Sequence, residues 1–316
     1  MNDTTNDTSS IDNDSGVSRI VAIFTWVYCI PGLFCLGTVF TALVKINMEK
    51  VTVTNLFLMN ILISDWTLVA LFAFYAAPSE FTQSQVYGDK MNYVLSAYEA
   101  YAFSVSMVTG FIISGNRFVA IFFPHVVNRL FTVRKAYVYT VSAWFLGALW
   151  PFADLYKTSC HFEFNEKRAI FMFLCDDGAA SHTMNTTIAV SILYSIGFVY
   201  LASMIKLKID NAKVKSEAVQ SNMAKRRLRV FLQAFGVWLS TLMNVLGFHF
   251  VAPYLSNQLV NGIVFVIMVL CPAYGSCTVM LVFNTGIQHK LAQMLGKKSI
   301  TSTTVAMTTQ APKDVD

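Results

Sequence analysis

The stretch SGNRFVAIFFP, residues 114–124, places a single arginine at the end of a long apolar run. At least twenty largely apolar residues precede Arg117, and the aromatic-rich run 118–123 follows it. A guanidinium costs about 2.5–3.5 kcal/mol at the centre of a bilayer and less near its edge. A chain keeps such a group when it is paired, reaches the interface or has a function. Arg117 therefore marks the end of a membrane-crossing helix.

The composition of the whole chain is that of a membrane protein. Its 316 residues are 55% hydrophobic and 13% charged, whereas soluble domains carry about 25% charged residues. Continuous apolar runs exclude a strand barrel, which shows short alternating segments. The sequence predicts an all-α membrane protein with a seven-transmembrane helix bundle. The apolar runs, each long enough to cross a bilayer, are residues 20–44, 53–77, 91–116, 136–153, 184–205, 230–256 and 258–288.

The charges outside these spans predict the orientation. With the N-terminus outside, 18 of the 23 Lys and Arg residues lie on the cytoplasmic side, as the positive-inside rule requires. The net charge of +5 therefore reflects the orientation of the chain in the lipid bilayer, and no nucleic-acid partner is implied. Four N-glycosylation sequons fall on the outer side, at Asn2, Asn6, Asn13 and Asn185.

The chain divides into four regions. Residues 1–18 form an acidic, disordered extracellular tail, and residues 19–286 form the transmembrane domain. No cleavable signal peptide is evident, so we expect the first span to act as its own insertion signal. Residues 287–296 form a short amphipathic interfacial helix, with Ile287, Leu291, Met294 and Leu295 on one face, and residues 297–316 form a disordered cytoplasmic tail. Outer loops are expected at 78–90 and 156–183. Pro124 ends the third span, and the basic segment 206–229 extends two helices into the cytoplasm.

The second span carries a family resemblance. Residues 55–65, NLFLMNILISD, resemble the second-helix motif of rhodopsin-like G-protein-coupled receptors, which places a carboxylate at Asp65. The 52-residue interval from Asp65 to Arg117 and the tryptophan at Trp144 also suit that family. The chain departs from it as well. Thr38, Asn116 and Ser276 replace family residues, the fifth and sixth spans lack their mid-helix prolines, and no cysteine lies at the outer end of the third span.

A nearer resemblance is to nematode serpentine chemoreceptors of class x. In that class an Asn-Arg-Phe signature continues into Ala-x-Phe-Phe-Pro, as in residues 116–124 here. A cysteine-bracketed second outer loop and a terminal Phe-Asn followed by a short helix are also similar. The resemblance implies an extracellular ligand, a heterotrimeric G protein as partner, and a plasma membrane location that includes the sensory cilium.

Arg117 is the first candidate site residue. The resemblance implies that it contacts neighbouring helices in the inactive receptor and a G-protein terminus in the active one. Arg226 and Arg227, in the third inner segment, would add to the coupling surface. Asn116 cannot form the charge pair expected beside this arginine, so the resting partner is open. The alternative is one more arginine of the positive-inside pattern.

Glu99 is the candidate ligand contact. It precedes Arg117 by 18 residues, or five turns, so both lie on one helix face about 27 Å apart. Rhodopsin-like amine receptors hold a ligand cation with an acidic residue at the matching position. Tyr98 and Tyr101 would add aromatic surface for such a cation, and Asn244 and His249 on the sixth helix would line the same pocket. The alternative is structural burial of these groups.

Asp65 is the candidate activation residue. The resemblance places Ser106 and Ser276 beside it, where the parent family has a sodium pocket. Asp65 would therefore belong to a polar switch, with or without a sodium ion. The alternative is a hydrogen-bonded structural aspartate. No other metal site is indicated.

The cysteines fall into two groups. Cys160 and Cys175 bracket the middle of the largest outer loop, where a disulfide in an oxidising lumen would stabilise by about 3 kcal/mol. Such a bridge would shape a lid over the pocket without attaching it to the third helix. Cys29, Cys35, Cys271 and Cys277 lie inside spans and are expected to act as small apolar fillers.

These features predict a chemosensory receptor that binds an extracellular small molecule or peptide and activates a G protein. The alternative function is a seven-helix transporter or ligand-gated channel. Such proteins bury more ionisable groups and break helices near the midplane, whereas only Asp65 and Glu99 are clearly intramembrane here. No catalytic constellation or cofactor motif is present, so an enzyme is not expected. The seventh span has no lysine to form a retinal Schiff base in the opsin manner.

Overall fold

A computed structural model describes residues 7–157, 160–166, 170–175, 180–213 and 218–296. The long helices are α1 (Asp7–Glu49), α2 (Val53–Leu71), α4 (Asp89–Phe122), α6 (Val133–Lys157), α7 (Ala180–Lys213), α8 (Ala218–Leu246) and α9 (Gln258–Phe283). Short helices are α3 (Ala77–Thr82), α5 (Pro124–Leu130) and α10 (Thr285–Met294). Two strands, β1 (Cys160–Asn165) and β2 (Ile170–Cys175), form an antiparallel hairpin.

The long helices form the predicted bundle. Six of them in the described part of the chain are long and apolar enough to cross a membrane, and α6, with 25 residues, takes the fourth place. Helix α4 lies at the centre, in contact with α2, α6, α7 and α8. Because α4 carries both Glu99 and Arg117, its position places both candidate sites inside the bundle. The sequence prediction of a seven-helix fold is confirmed.

Two boundaries differ from the sequence prediction. Helix α1 begins at Asp7, so residues 7–18 of the expected tail are helical. Helix α2 continues through a π-helical turn, Phe72–Ala76, into α3, so the outer loop begins at Gln83 and not at Pro78. Pro78 lies in the first turn of α3, directly after the π-helical turn. Proline has no N–H to donate to the carbonyl four residues earlier, and that carbonyl, of Phe74, accepts from the Tyr87 hydroxyl at 3.1 Å.

The cytoplasmic boundaries agree with the sequence. Helix α4 ends at Phe122, and Pro124 starts the short helix α5 in the second inner loop. Helices α7 and α8 extend into the third inner segment as expected. Helix α10 begins two residues before the predicted interfacial helix because the Asn284 side chain accepts a hydrogen bond from the Ile287 N–H at 3.2 Å and caps it.

Ile287 on α10 is fully buried, and Leu291 packs against the same core cluster. Met294 and Leu295 are 39% and 75% exposed. The predicted apolar face therefore has two parts. Ile287 and Leu291 pack against the bundle, whereas Met294 and Leu295 are exposed at the end of the helix.

A buried asparagine joins three helices. Asn60 on α2, 2% exposed, donates through Nδ2 to Thr109 Oγ1 on α4 at 2.7 Å. Its Oδ1 accepts from Trp144 Nε1 on α6 at 2.7 Å. The Asn60 NH₂ group and its carbonyl oxygen thus both have hydrogen-bond partners inside an apolar bundle, where a polar group without a partner is costly. This residue aligns the second, third and fourth spans.

The intramembrane cysteines do not all act as apolar fillers, which corrects the sequence prediction. Cys35 on α1 and Cys277 on α9 form a disulfide, with Cα atoms 6.9 Å apart. The reason is the packing of α1 on α9, which brings together residues 242 positions apart in sequence. Cys29 and Cys271 are free thiols.

Asn60→Ala tests the role of this asparagine in helix assembly. The substitution removes two interhelical hydrogen bonds, each contributing about 0.6–2 kcal/mol in membrane proteins. We expect a lower apparent Tm of the purified protein in detergent, measured by thiol-reactive dye unfolding. Asn55→Ala, on the same helix, is the matched control and should shift Tm little. Equal shifts in the two variants would contradict the assignment.

Candidate functional site

An outer cavity of about 110 Å³ lies between the outer halves of the central helices and the hairpin. Helices α4, α6, α7, α8 and α9, strand β1 and the turn after α8 all contribute to its wall. Its polar lining includes three of the predicted ligand contacts, namely Glu99 on α4 and Asn244 and His249 on the sixth helix. The lining residues are Glu99, Ala100, Phe103, Ser104, Met107, Val108, Leu146, Phe162, Ala189, Ile192, Asn244, Val245, Phe248, His249 and Val269.

Glu99 is the acidic group of this cavity. It is 7% exposed, and the part of the chain that the structure describes supplies no hydrogen bond or ion pair to its carboxyl group. Helix periodicity places Phe103, four residues later, on the same face, and Phe103 also lines the cavity. An isolated ionised carboxylate is costly to bury. The cavity can therefore supply one strong acceptor within an aromatic wall.

Asn244 and His249 complete the polar lining from α8. Asn244 is 5% exposed and donates through Nδ2 to the Val269 carbonyl of α9 at 2.9 Å. His249 lies in the π-helical turn Gly247–Val251, with its ring edge-on to Phe248 at 4.8 Å between centroids. The wider turn brings Phe248 and His249 together into the cavity wall.

Tyr98 and Tyr101 do not line the cavity, which corrects the sequence prediction. Tyr98 is 37% exposed and contacts the ring of Tyr101 at 5.9 Å, and Tyr101 packs on Trp144 of α6 at 5.6 Å. The reason is helix geometry, since each residue turns by about 100° and neither shares the face of Glu99. The aromatic wall comes from Phe103, Phe162 and Phe248. The i, i+4 rule could have found Phe103, but no local signal points to the other two.

An inner cavity of about 30 Å³ surrounds Arg117 in the cytoplasmic half of the bundle. Such a volume holds about two water molecules at ~10–15 Å³ each. Its polar lining comes from α2, α4, α7 and α8 and is concentrated at the cytoplasmic end. The residues that matter here are Thr54, Asn116, Arg117, Tyr200 and Gln233.

Arg117 has a hydrogen-bond partner on α2. Its Nη2 donates to Thr54 Oγ1 at 3.1 Å, and no carboxylate of the described residues lies within ion-pair distance. Arg117 Nε and Gln233 Nε2 are buried donors without an acceptor in the described part of the chain. The neighbouring Asn116 is 6% exposed. The hydroxyl of Thr54 thus takes the place that an acidic neighbour would have filled.

Asp65 sits at the junction of three helices. It is 2% exposed, its Oδ1 accepts from Ser106 Oγ on α4 at 3.4 Å, and its Oδ2 accepts from Ser276 Oγ on α9. The structure therefore brings together the three residues expected to meet around this carboxylate. Both of its oxygens already have hydroxyl donors.

The hairpin is attached to α4 by hydrogen bonds, a link that is separate from the predicted Cys160–Cys175 bridge. Asn92, near the start of α4, hydrogen-bonds to the backbone of Phe164 in β1. The predicted bridge partners Cys160 and Cys175 are opposite each other in the strand register. The sequence could not reveal this link because Asn92 is an ordinary residue in a polar loop-to-helix junction.

Glu80 is a buried acidic residue that the sequence did not single out. It is fully buried on α3, and neither carboxylate oxygen has a hydrogen-bond partner in the described part of the chain. Because α3 continues the second candidate span past Pro78, Glu80 is a third buried acid of the bundle beside Asp65 and Glu99.

Several predicted site residues lie where side chains are not described. Arg226 and Arg227 fall within α8, and Asn185 falls within α7. Asn13 falls within α1, whereas Asn2 and Asn6 precede the described residues. Their roles stay predictions.

The two cavities share one wall residue. Met107 lines both the outer cavity and the inner cavity and is 7% exposed. It lies 8 residues after Glu99 and 10 residues before Arg117 on α4.

Comparison with known proteins agrees with this architecture. The family described as serpentine type 7TM GPCR chemoreceptor Srx matches residues 26–284. Among solved structures, squid rhodopsin is similar with a TM-score of 0.70 and 15% identity, over 89% of this chain and 86% of that one. At that identity the likeness shows the fold alone. No curated protein matches the chain. Because the family match covers most of the chain, the protein belongs to the serpentine Srx chemoreceptors, a family of seven-helix G-protein-coupled receptors in the membrane.

Proposed function

We propose that this receptor binds a small molecule in the outer cavity and activates a heterotrimeric G protein. The observation that carries the proposal is a single buried carboxyl group, Glu99, in a mainly apolar and aromatic cavity whose other polar lining residues are Ser104, Asn244 and His249. A few placed polar groups in a concave apolar site are typical of small-molecule pockets. The family supports chemoreception, and the ligand and the G protein are the new elements of the proposal.

The size of the cavity favours a small ligand over a peptide. A dry protein cavity of about 150 Å³ accommodates benzene, and the outer cavity measures about 110 Å³. The receptor in this conformation would thus hold a molecule near the size of one ring. Glu99 would bind a cationic or hydrogen-bond-donating group of that molecule. Phe103, Phe162 and Phe248 would surround the group, since aromatic faces attract cations.

The inner cavity supports a mechanism for coupling. Ligand binding favours whichever bundle conformation binds it better, and Arg117 would leave Thr54 in the conformation that accepts the G protein. The sequence prediction that Arg226 and Arg227 add basic surface on α8 belongs to the same proposal. Asp65, held by Ser106 and Ser276, would act as the hub that couples α2, α4 and α9. Its two hydroxyl donors favour a hydrogen-bonded hub over a sodium site.

Glu99→Gln tests the ligand site. The substitution keeps the shape of the side chain and removes its charge, so a ligand cation loses its counter-ion. We expect the EC50 of an agonist found by screening small amines and neutral analogues to rise about tenfold or more, equivalent to about 1.4 kcal/mol. The measurement is a G-protein reporter in cells with matched surface expression.

Tyr98→Phe is the control for that experiment, because Tyr98 lies one residue away and outside the cavity. It should leave the dose-response curve unchanged. An unchanged curve for Glu99→Gln, or equal losses in both variants, would remove Glu99 from the ligand site.

Thr54→Val tests the resting contact of Arg117. Valine has the shape of threonine but cannot accept the guanidinium hydrogen bond. The net contribution of one hydrogen bond is about 0.5–1.5 kcal/mol. Losing this bond should shift the equilibrium toward the active conformation, so we expect ligand-free signalling to rise roughly two- to tenfold. Thr41→Val is the matched control, since the Thr41 hydroxyl donates only to the Gly37 carbonyl of its own helix.

Arg117→Ala tests whether Arg117 itself is required for G-protein coupling. It should abolish ligand-evoked G-protein activation while direct binding of the same agonist stays measurable. Full signalling by Arg117→Ala, or an unchanged basal level in Thr54→Val, would contradict the mechanism.

A further inference from the structure

The hairpin over the outer cavity has an aromatic inner face. Phe164 and Phe171, opposite each other in the register, are 1% and 2% exposed, with ring centroids 4.9 Å apart. Tyr75 of the π-helical turn in the second span packs on Phe164 at 5.8 Å. Phe162 lies two residues before Phe164 on the same face of β1 and lines the cavity. The placement of Phe164 therefore determines the placement of Phe162.

Asn92 holds Phe164 by its backbone. Asn92 Nδ2 donates to the Phe164 carbonyl at 3.2 Å, and Asn92 Oδ1 accepts from the Phe164 N–H at 3.2 Å. In an antiparallel pair, residues that do not exchange bonds with their partner direct both backbone groups outward. The Asn92 amide thus satisfies the free edge of β1 at Phe164, as a neighbouring strand would.

The surrounding residues fix the orientation of this amide. Asn92 is 1% exposed and Ser96 is fully buried. The Oδ1 atom of Asn92 also accepts from Ser96 Oγ at 3.2 Å and from the Tyr75 hydroxyl. A flipped amide would direct its NH₂ at these donors and at the Phe164 N–H, so one orientation alone satisfies the network.

We propose that Asn92 is the positioning residue for the ligand-cavity lid. It is a non-covalent clamp that fixes the hairpin on α4 and sets Phe162 over the cavity. A disulfide between Cys160 and Cys175 would close the hairpin on itself, because both cysteines belong to it. It would leave the attachment to α4 to hydrogen bonds. Opening the lid would therefore break the Asn92 contacts and the packing of Phe164 on Tyr75, and it would need no redox step. Its importance for signalling rests on the proposed ligand site, but the clamp itself is testable without a ligand.

Amide hydrogen exchange on the full-length receptor in lipid nanodiscs tests the clamp. The Phe164 amide should be protected in the native chain, because Asn92 Oδ1 binds it. In Asn92→Ala its exchange should be about tenfold faster or more, whereas Asn92→Asp, which keeps the acceptor, should lie between the two. Lys90→Ala is the matched control, since Lys90 is an exposed residue of α4 two positions from Asn92, and the exchange rate of the Phe164 amide should stay within about twofold of the native rate.

Access to the cavity supplies a second readout that loss of stability alone would not change. Ser104→Cys places a thiol in the cavity wall, and a trimethylammonium-ethyl methanethiosulfonate reagent labels it from outside. In folded, monodisperse protein, adding Asn92→Ala should speed labelling about fivefold or more because the lid opens more often. Adding Lys90→Ala should leave the labelling rate unchanged. Mass spectrometry of the labelled peptide separates this site from the native cysteines.

An unprotected Phe164 amide in the native chain would contradict the proposal that Asn92 holds the hairpin. This measurement needs no variant, so it applies even if the variants fail to fold. The proposal is also overturned when folded Asn92→Ala exchanges and labels at native rates. Neither result bears on Glu99 as ligand contact. Conversely, an unchanged agonist response in Glu99→Gln leaves the clamp standing.

Discussion

Polar side chains buried between apolar helices must satisfy one another, and this requirement determines how the bundle is assembled. Lipid tails supply no hydrogen bonds, so a polar group buried in the bundle is costly unless the protein itself supplies a partner. Asn60 meets this requirement between α2, α4 and α6, and Asp65 meets it between α2, α4 and α9. These contacts hold α4 in one rotation. That rotation is what directs Glu99 into the outer cavity and Arg117 into the inner one.

Much of the fold could be predicted from sequence because bilayer-spanning helices are local features. Apolar length revealed seven spans, and helical spacing placed Glu99 and Arg117 on one face of α4. The π-helical turns at Phe72–Ala76 and Gly247–Val251 could not be predicted. The extra residue in each helical turn depends on how the helices pack, and composition does not reveal it. The same holds for the Cys35–Cys277 bond. It depends on which helices become neighbours, and spacing within one span says nothing about that.

The candidate site shows the same division. Glu99 could be predicted because it is a whole number of helical turns from Arg117. Phe162 and Phe248 could not, because they lie on other elements and no sequence pattern marks them. Tyr98 and Tyr101 were assigned by nearness in sequence, and helix rotation turns them towards α6. Asn116 signalled that Arg117 lacks a charged neighbour. The substitute, Thr54, lies 63 residues earlier and could be found only in three dimensions.

The position of Met107 limits how the receptor can transmit a signal. Among the described residues, Met107 is the one that the walls of the outer and inner cavities share, so it borders both the proposed ligand site and the proposed coupling site. Methionine is unbranched and adapts its shape to irregular gaps. A ligand that displaced this side chain in the outer cavity would therefore also change the shape of the inner cavity, even with the helices in place. One flexible side chain would then couple the two proposed sites.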